Sequence, residues 1–278
     1  MGTAIIALIV LAVIGAILGL VIGFAGKLFA VDTDPRIEKV TEMLPGANCG
    51  GCGRAGCADF AKAVCAGEIL PGGCPVNGIE AIAAIAAYLG IDAGSGGKKV
   101  AVILCGGDKF HAKPAALYNG VSDCVSANLI GGGPKGCTYG CLGLASCSRA
   151  CPFNAIELVN GLAVVHPEIC TGCGNCVATC PRKLIKLVPA AVPVHIYCNS
   201  PEKAPTKKKV CSVPCIGCRK CAKNAGEGQI EVNGALARIN YADAPGADIV
   251  EKTGCPTGCL ATVENHCRQE KAATEIAL

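Results

Sequence analysis

Residues 170–181 read Cys-Thr-Gly-Cys-Gly-Asn-Cys-Val-Ala-Thr-Cys-Pro, which is C-x2-C-x2-C-x3-C-P without a departure. No other stretch limits so tightly what the chain can fold into. This is a run that holds a [4Fe–4S] cluster, and its fourth Cys ligates a second, neighbouring cluster. A partner run must therefore exist, and it lies just upstream. Cys137, Cys141, Cys147 and Cys151-Pro152 form C-x3-C-x5-C-x3-C-P, with the first two loops stretched. The crossed rule predicts one cluster on Cys137, Cys141, Cys147 and Cys180 and another on Cys151, Cys170, Cys173 and Cys176. Each Cys-Pro is followed by a strand-like apolar start, at 153–156 and 182–187, as a pseudo-symmetric two-cluster fold requires.

Composition agrees with a chain held by metal–ligand bonds. It has 23 Cys and 37 Gly in 278 residues and only 4% aromatic residues, so large side chains can fill little of its interior. Metal binding then supplies folding energy. A secreted disulfide scaffold is the bland reading of so many Cys, but it does not account for runs that end in Cys-Pro. Zinc suits Cys-x2-Cys pairs, yet does not explain three closely spaced Cys followed by Cys-Pro. The formal charge of +4 is mild and calls for no nucleic acid. Length allows one to three domains.

Residues 1–26 carry no charge, and the apolar run 4–24 has the length of a single transmembrane helix. A cleaved signal peptide would need a basic start and a shorter apolar core. Lys27, Arg36 and Lys39 follow the run, which places the bulk of the chain on the cytoplasmic side. Gly15, Gly19 and Gly23 recur every fourth residue, a stripe that admits another helix or simply reflects the commonness of Gly in such segments.

Next, 32–44 predicts a short amphipathic helix with Asp34 as N-cap and Pro35 at its first position. Cys49, Cys52, Cys57 and Cys74 then give C-x2-C-x4-C-x16-C, a third [4Fe–4S] site among Gly-rich loops that can pass close over a cluster. Cys65 lies in a helical run and reads as a small core residue. Residues 79–89 form an Ala/Ile helix, 93–97 a linker and 99–105 a strand. Cys105 and Cys124 stand alone and read as structural. His111 and His166 lack metal-like spacing.

The stretch 192–198 echoes 100–105: each reads as a strand ending in Cys ahead of a Cys-rich run, an internal repeat. In the second copy Asn224-Ala225-Gly226 stands where a Cys-Pro belongs, and 241–245 lacks the expected Cys run. One cluster is predicted to survive there, on Cys215, Cys218, Cys221 and Cys255. Cys211 can replace Cys218 and Cys259 can replace Cys255, although the x2/x2 set matches the run at 170–181 better. Residues 203–209 read as a basic surface loop.

In order as well as motif, these residues resemble the B subunit of the Rnf complex, an ion-translocating ferredoxin:NAD oxidoreductase. The resemblance covers nearly the whole chain: an apolar N-terminal helix, the Cys49/Cys52/Cys57/Cys74 unit, then the two-cluster unit introduced by Gly131-Gly-Gly-Pro-Lys-Gly-Cys137. It implies an α+β protein: a membrane anchor (1–30), a small helical [4Fe–4S] domain (31–92), a bacterial-ferredoxin-like two-cluster domain (98–190) and a degenerate ferredoxin-like domain (191–278). It implies a single-pass protein of the cytoplasmic membrane that accepts electrons from soluble ferredoxin. It would relay them toward flavin- and NAD-binding subunits, beside membrane subunits and lipid, while ion transport is driven elsewhere in the assembly. The C-terminal unit departs from the family, since longer members carry a complete cluster pair there.

No Ser/His/Asp or Cys/His arrangement is placed for nucleophilic work, and no G-x-G-x-x-G opens a helix after a strand. The residues thus predict outer-sphere electron transfer with no bond chemistry in this chain. A polyferredoxin of a hydrogenase or another reductase, and a zinc-stabilised interaction scaffold, are the rival readings.

Overall fold

A computed structural model describes residues 2–28, 34–94 and 97–266. The first element is the helix α1 (Gly2–Leu28). Its apolar side chains, among them Ile9, Leu11, Ile14, Leu18 and Phe24, are exposed, and the positions of Gly15, Gly19 and Gly23 face open space. The expected transmembrane helix is corrected here: among the described residues no helix is long and apolar enough to cross a membrane.

A small helical unit follows. In α2 (Pro35–Met43) the Asp34 carboxylate accepts from the Arg36 amide at 2.9 Å and Pro35 sits in the first turn, as the sequence predicts. α3 (Cys57–Cys65) starts where Asn48 Oδ1 accepts from the Cys57 amide at 2.8 Å, so the loop carrying Cys49 and Cys52 is tied to the helix carrying Cys57. α4 (Ile79–Leu89) turns Ile82 and Ile85 inward and ends on Gly90 with φ +66°, a left-handed cap. Val40, Leu44, Phe60, Val64 and Ile85 make its core, against which Cys65 packs.

The rest of the chain is built twice on one plan. In the first copy β1 (Lys99–Ile103) leads, through α5 (Cys124–Ile130) and α6 (Ser146–Arg149), to the hairpin β2 (Ile156–Val159) and β3 (Leu162–Val165). After α7 (Asn175–Thr179) the strand β4 (Ile185–Pro189) returns antiparallel to β1, with Ile103 opposite Ile185. In the second, β5 (Val194–Ile196), α8 (Ala204–Val210) and α9 (Lys220–Asn224) precede the hairpin β6 (Ile230–Asn233) and β7 (Leu236–Ile239). After α10 (Ile249–Thr253), β8 (Leu260–Thr262) pairs with β5, Ile196 opposite Leu260. The sheets are two-stranded, too small to stand alone in water, so each copy depends on what fills the space between them. Leu104 donates its amide to the Leu184 carbonyl at 2.9 Å, and Tyr197 donates to Cys259 at 2.8 Å, so the copies match bond for bond at this corner.

Two details refine the sequence reading. Residues 203–209, expected as a loop, are mostly helical: Pro205 lies in the first turn of α8, and Lys207 turns inward at 1% exposure. Its ammonium donates to the carbonyls of Ser200 (3.1 Å) and Ala235 (2.6 Å), which makes that burial tolerable. In the second copy, Ala225, Ala244 and Val250 pack against the core where the first copy has Cys151, Cys170 and Cys176.

Candidate metal centres

Three sequence-predicted cysteine sets are each gathered in one cavity. The first is lined by Cys49, Cys52, Cys57 and Cys74, beneath Leu44 and Phe60. The amides of Val76 and Asn77 point at the Cys74 sulfur. This centre touches the next through its backbone: a Cβ on Gly51 would come 2.6 Å from the Cys173 carbonyl oxygen, so only glycine fits there.

The second cavity is lined by Cys151, Cys170, Cys173 and Cys176, the crossed set. The amides of Ala155 and Ala101 donate to Cys151 Sγ and Cys170 Sγ at 3.4 Å each. Those of Asn175 and Val177 point at Cys173 and Cys176. The third is lined by Cys215, Cys218, Cys221 and Cys255, with Cys259 on its wall. Ala237 donates its amide to Cys215 Sγ at 3.3 Å. Cys259 follows Cys255 as Leu184 follows Cys180 and is as deeply buried as that leucine, so it occupies a core position of the repeat.

Cys141, Cys147 and Cys180 are neighbours too, and Cys124 stands near Cys141 and Cys147. Burial first, then the nearby Cys141, Cys124 and Cys180, pushes the Cys147 thiol up to about 12. The Cys124 amide donates to Ser146 Oγ at 2.8 Å, which fixes the start of α5 beside α6. Cys137 instead lines a separate cavity with Cys105, Cys198 and Cys211, between the two copies of the repeat. The sequence held a signal for this grouping. Both first strands run into a Cys, and Cys137-x3-Cys141 has the spacing of Cys211-x3-Cys215.

Among the described residues, no three His, Cys, Asp or Glu side chains converge closely enough to hold one metal ion. The thiols stand around cavities, which suits a multi-iron group capped at its corners. Three features fit them to a [4Fe–4S] cluster: four thiols per cavity, glycine loops that leave room, and backbone amides aimed at the sulfurs. Burial pushes Cys105 and Cys176, like Cys147, up to about 12. Such thiols keep their protons at neutral pH unless a metal takes the proton's place. Cys198 and Cys215 run the other way, to about 6 and about 5, chiefly because the Cys259 thiol lies within hydrogen-bond reach of each.

Comparison with known proteins finds iron–sulfur families over two of these regions. An Fe-S cluster family model matches residues 44–76, and a 4Fe-4S dicluster domain model matches residues 133–181. The B subunit of the ion-translocating oxidoreductase complex of Methanosarcina acetivorans is 43% identical over 232 residues, 83% of this chain and 88% of that protein. The B subunit of the proton-translocating ferredoxin:NAD(+) oxidoreductase complex of Clostridium ljungdahlii is 40% identical over 100% of this chain and 99% of its own. The Na(+)-translocating counterpart of Acetobacterium woodii is 39% identical over 90% of this chain and 75% of its own. With both its cluster-binding regions and its length matched in this way, the chain belongs to the B-subunit family of ion-translocating ferredoxin:NAD+ oxidoreductase (Rnf) complexes, as their iron–sulfur electron-transfer subunit.

Proposed function

We propose that this protein takes electrons from reduced soluble ferredoxin and hands them, one at a time, toward the flavin- and NAD-binding subunits of its complex, working at the membrane beside ion-translocating companions. The observation that supports this reading is the grouping of the predicted thiols around cavities, each with backbone amides directed at its sulfurs. [4Fe–4S] clusters held by Cys49/Cys52/Cys57/Cys74, Cys151/Cys170/Cys173/Cys176 and Cys215/Cys218/Cys221/Cys255, and one that includes Cys141, Cys147 and Cys180, would supply one-electron storage. Such clusters would supply one-electron transfer from centre to centre, with no bond chemistry asked of the residues that hold them.

The chain's own residues set the terms of that transfer. Amide donors such as Ala101, Ala155 and Ala237 stabilise negative charge on the sulfurs and so raise the potential at which an electron is accepted. Gly51, whose Cβ would meet the Cys173 carbonyl, keeps two neighbouring centres near each other, and Gly172, whose Cβ would stand 2.5 Å from the Lys99 carbonyl oxygen, holds the 170–176 loop against β1.

The test is reduction of the anaerobically purified full chain by reduced ferredoxin, followed by loss of visible cluster absorbance. Bleaching that accounts for about one electron per cluster is the expected result, and anaerobic membranes lacking the chain should lose ferredoxin-dependent NAD reduction. A chain that dithionite bleaches but reduced ferredoxin does not would remove ferredoxin as the donor.

A further inference from the structure

We infer that Cys105, Cys137, Cys198 and Cys211 hold a further [4Fe–4S] cluster at the junction of the two repeats, and that Cys124 serves beside Cys141, Cys147 and Cys180 in the place expected of Cys137. The inference rests on the electron-relay reading above and extends it from four centres to five.

The site has the symmetry of the fold that surrounds it. Cys105 follows β1 and Cys198 follows β5, and each donates its own amide back to its strand, to Ile103 and Ile196. Cys137 precedes Cys141 by the spacing with which Cys211 precedes Cys215. Each copy of the repeat thus offers one cysteine from a strand end and one from the approach to its cluster loop. Segments that meet at the cavity are joined by backbone bonds: Ala112 pairs with Cys211, Lys113 donates to Val210 at 2.9 Å, and Gly106 donates to Tyr197 at 3.0 Å.

The cavity also carries the marks of the other centres. Cys105 Sγ accepts from the amides of Gly107 (3.4 Å) and Cys141 (3.3 Å), and Cys198 accepts from those of Ser200 and Cys215, the matching positions of the second copy. The Val213 amide points at Cys211. Space is kept by glycine. A Cβ on Gly140 would stand 3.4 Å from Cys137 Sγ and 3.5 Å from Cys105 Sγ, and one on Gly107 would stand 3.7 Å from both Cys105 Sγ and Cys211 Sγ. Three sulfurs thus stand beside positions that glycine leaves open, and Cys198 lines the same cavity. Two ammonium groups line it: Lys135 donates to the carbonyls of Gly107 (2.6 Å) and Gly161 (2.7 Å), and Lys207 to those of Ser200 and Ala235. Two such cations suit a cluster whose thiolates make it anionic.

The reassignment of Cys124 follows the same comparison. In the second copy, Cys218 lies between Cys215 and Cys221 and supplies the fourth thiol. The matching loop, 142–146, has no cysteine. Cys124 comes in from α5 instead, held against Ser146 next to Cys147.

Placement gives the fifth centre a purpose. Through Cys105 it is one amide hydrogen bond from Cys141, and through Cys198 one amide hydrogen bond from Cys215. It is thereby the thiol-lined neighbour that joins the C-terminal centre to the rest of the relay.

Iron and acid-labile sulfide in the anaerobically purified full chain test this directly. About 20 of each per chain is the expected result, and about 16 would overturn it. Cys198→Ser, Cys211→Ser and Cys124→Ser should each lose about four iron, while Cys65→Ser loses none. Gly140→Val, which removes no ligand, should lose the same four by filling the space. Full iron in Cys124→Ser would overturn the reassignment, and full iron in both Cys211→Ser and Gly140→Val would overturn the site. Stoichiometric zinc without sulfide would instead remove the electron-relay reading itself, an outcome distinct from a count of about 16.

Discussion

The amide of Cys141 donates to the sulfur of Cys105 at 3.3 Å across 36 residues of sequence. The same bond recurs from Cys215 to Cys198 in the second copy of the repeat. In each copy the residue that opens one cluster loop therefore polarises a thiol that lines another cavity. With Gly51 packed on Cys173 at the other end, the thiol-lined cavities form one connected series from the N-terminal unit to the C-terminal one.

The two inward lysines should tune the centre between the repeats rather than build it. Lys135→Met is expected to keep the iron while the midpoint of one cluster falls, because a nearby positive charge favours the reduced, more anionic state. Redox-titrated EPR reads this as one signal moving to lower potential with the others fixed. Lys207→Met should do the same and also lower stability, by about 1–3 kcal/mol for each carbonyl left without its donor, those of Ser200 and Ala235.

Cys255 and Cys259 both line the C-terminal cavity but should answer differently to substitution. Cys255→Ser is expected to remove about four iron. Cys259→Ala, at 3% exposure in the place of Leu184, should keep them and melt at lower temperature, as a small core truncation costing about 1 kcal/mol would. Loss of iron from the second and not the first would exchange their roles.

Gly217 holds the second copy's cluster loop against its hairpin. Its φ is +66°, and a Cβ there would stand 2.5 Å from Ala235 Cα. Gly217→Ala should cost more than the about 1–2 kcal/mol of left-handed backbone alone, and the loop should let go of its iron first on heating. Iron content after mild heat treatment measures it.

His195 should make stability fall on the acid side. The ring is fully buried, its Nε2 has no hydrogen-bond partner, and burial holds its pKa down to about 4. The unfolded chain takes up the proton near 6.5, so the neutral ring's contribution is complete above 6.5. It is lost as pH falls from 6.5 toward 4, to a limit of about 3 kcal/mol. His195→Phe should flatten that slope between pH 6.5 and 5, measured as the temperature at which cluster absorbance disappears. A variant that keeps the wild-type slope would assign the pH dependence to another group.

Much is legible from spacing alone because a cluster ligand run is short-range chemistry. Cys170, Cys173 and Cys176 sit within seven residues, so their grouping, together with the crossed Cys151, needs only the motif. The capped helix at Asp34-Pro35 and the internal repeat are readable for the same local reason. Where the structure departs from the sequence reading, the cause is of another kind. The apolar N-terminal run forms a helix as composition dictates, yet no helix among the described residues is long and apolar enough to span a membrane. Lys207 belongs by sequence to a basic surface run but turns inward, because the carbonyls of Ser200, just before α8, and of Ala235, in the β6–β7 turn, await it.

Sequence by itself determined which cysteines come in runs with iron–sulfur spacing, that the plan is repeated, and that the second copy lacks cysteines at the positions of Cys151, Cys170 and Cys176. Tertiary structure alone decided the company of the solitary cysteines. The repeat marks Cys105 and Cys198, and Cys137 and Cys211, as equivalent positions, but no single run groups them or Cys124, since their neighbours come from 13 to more than 100 residues away in the chain. Only the antiparallel return of each repeat, and the packing of one copy on the other, brings those thiols together.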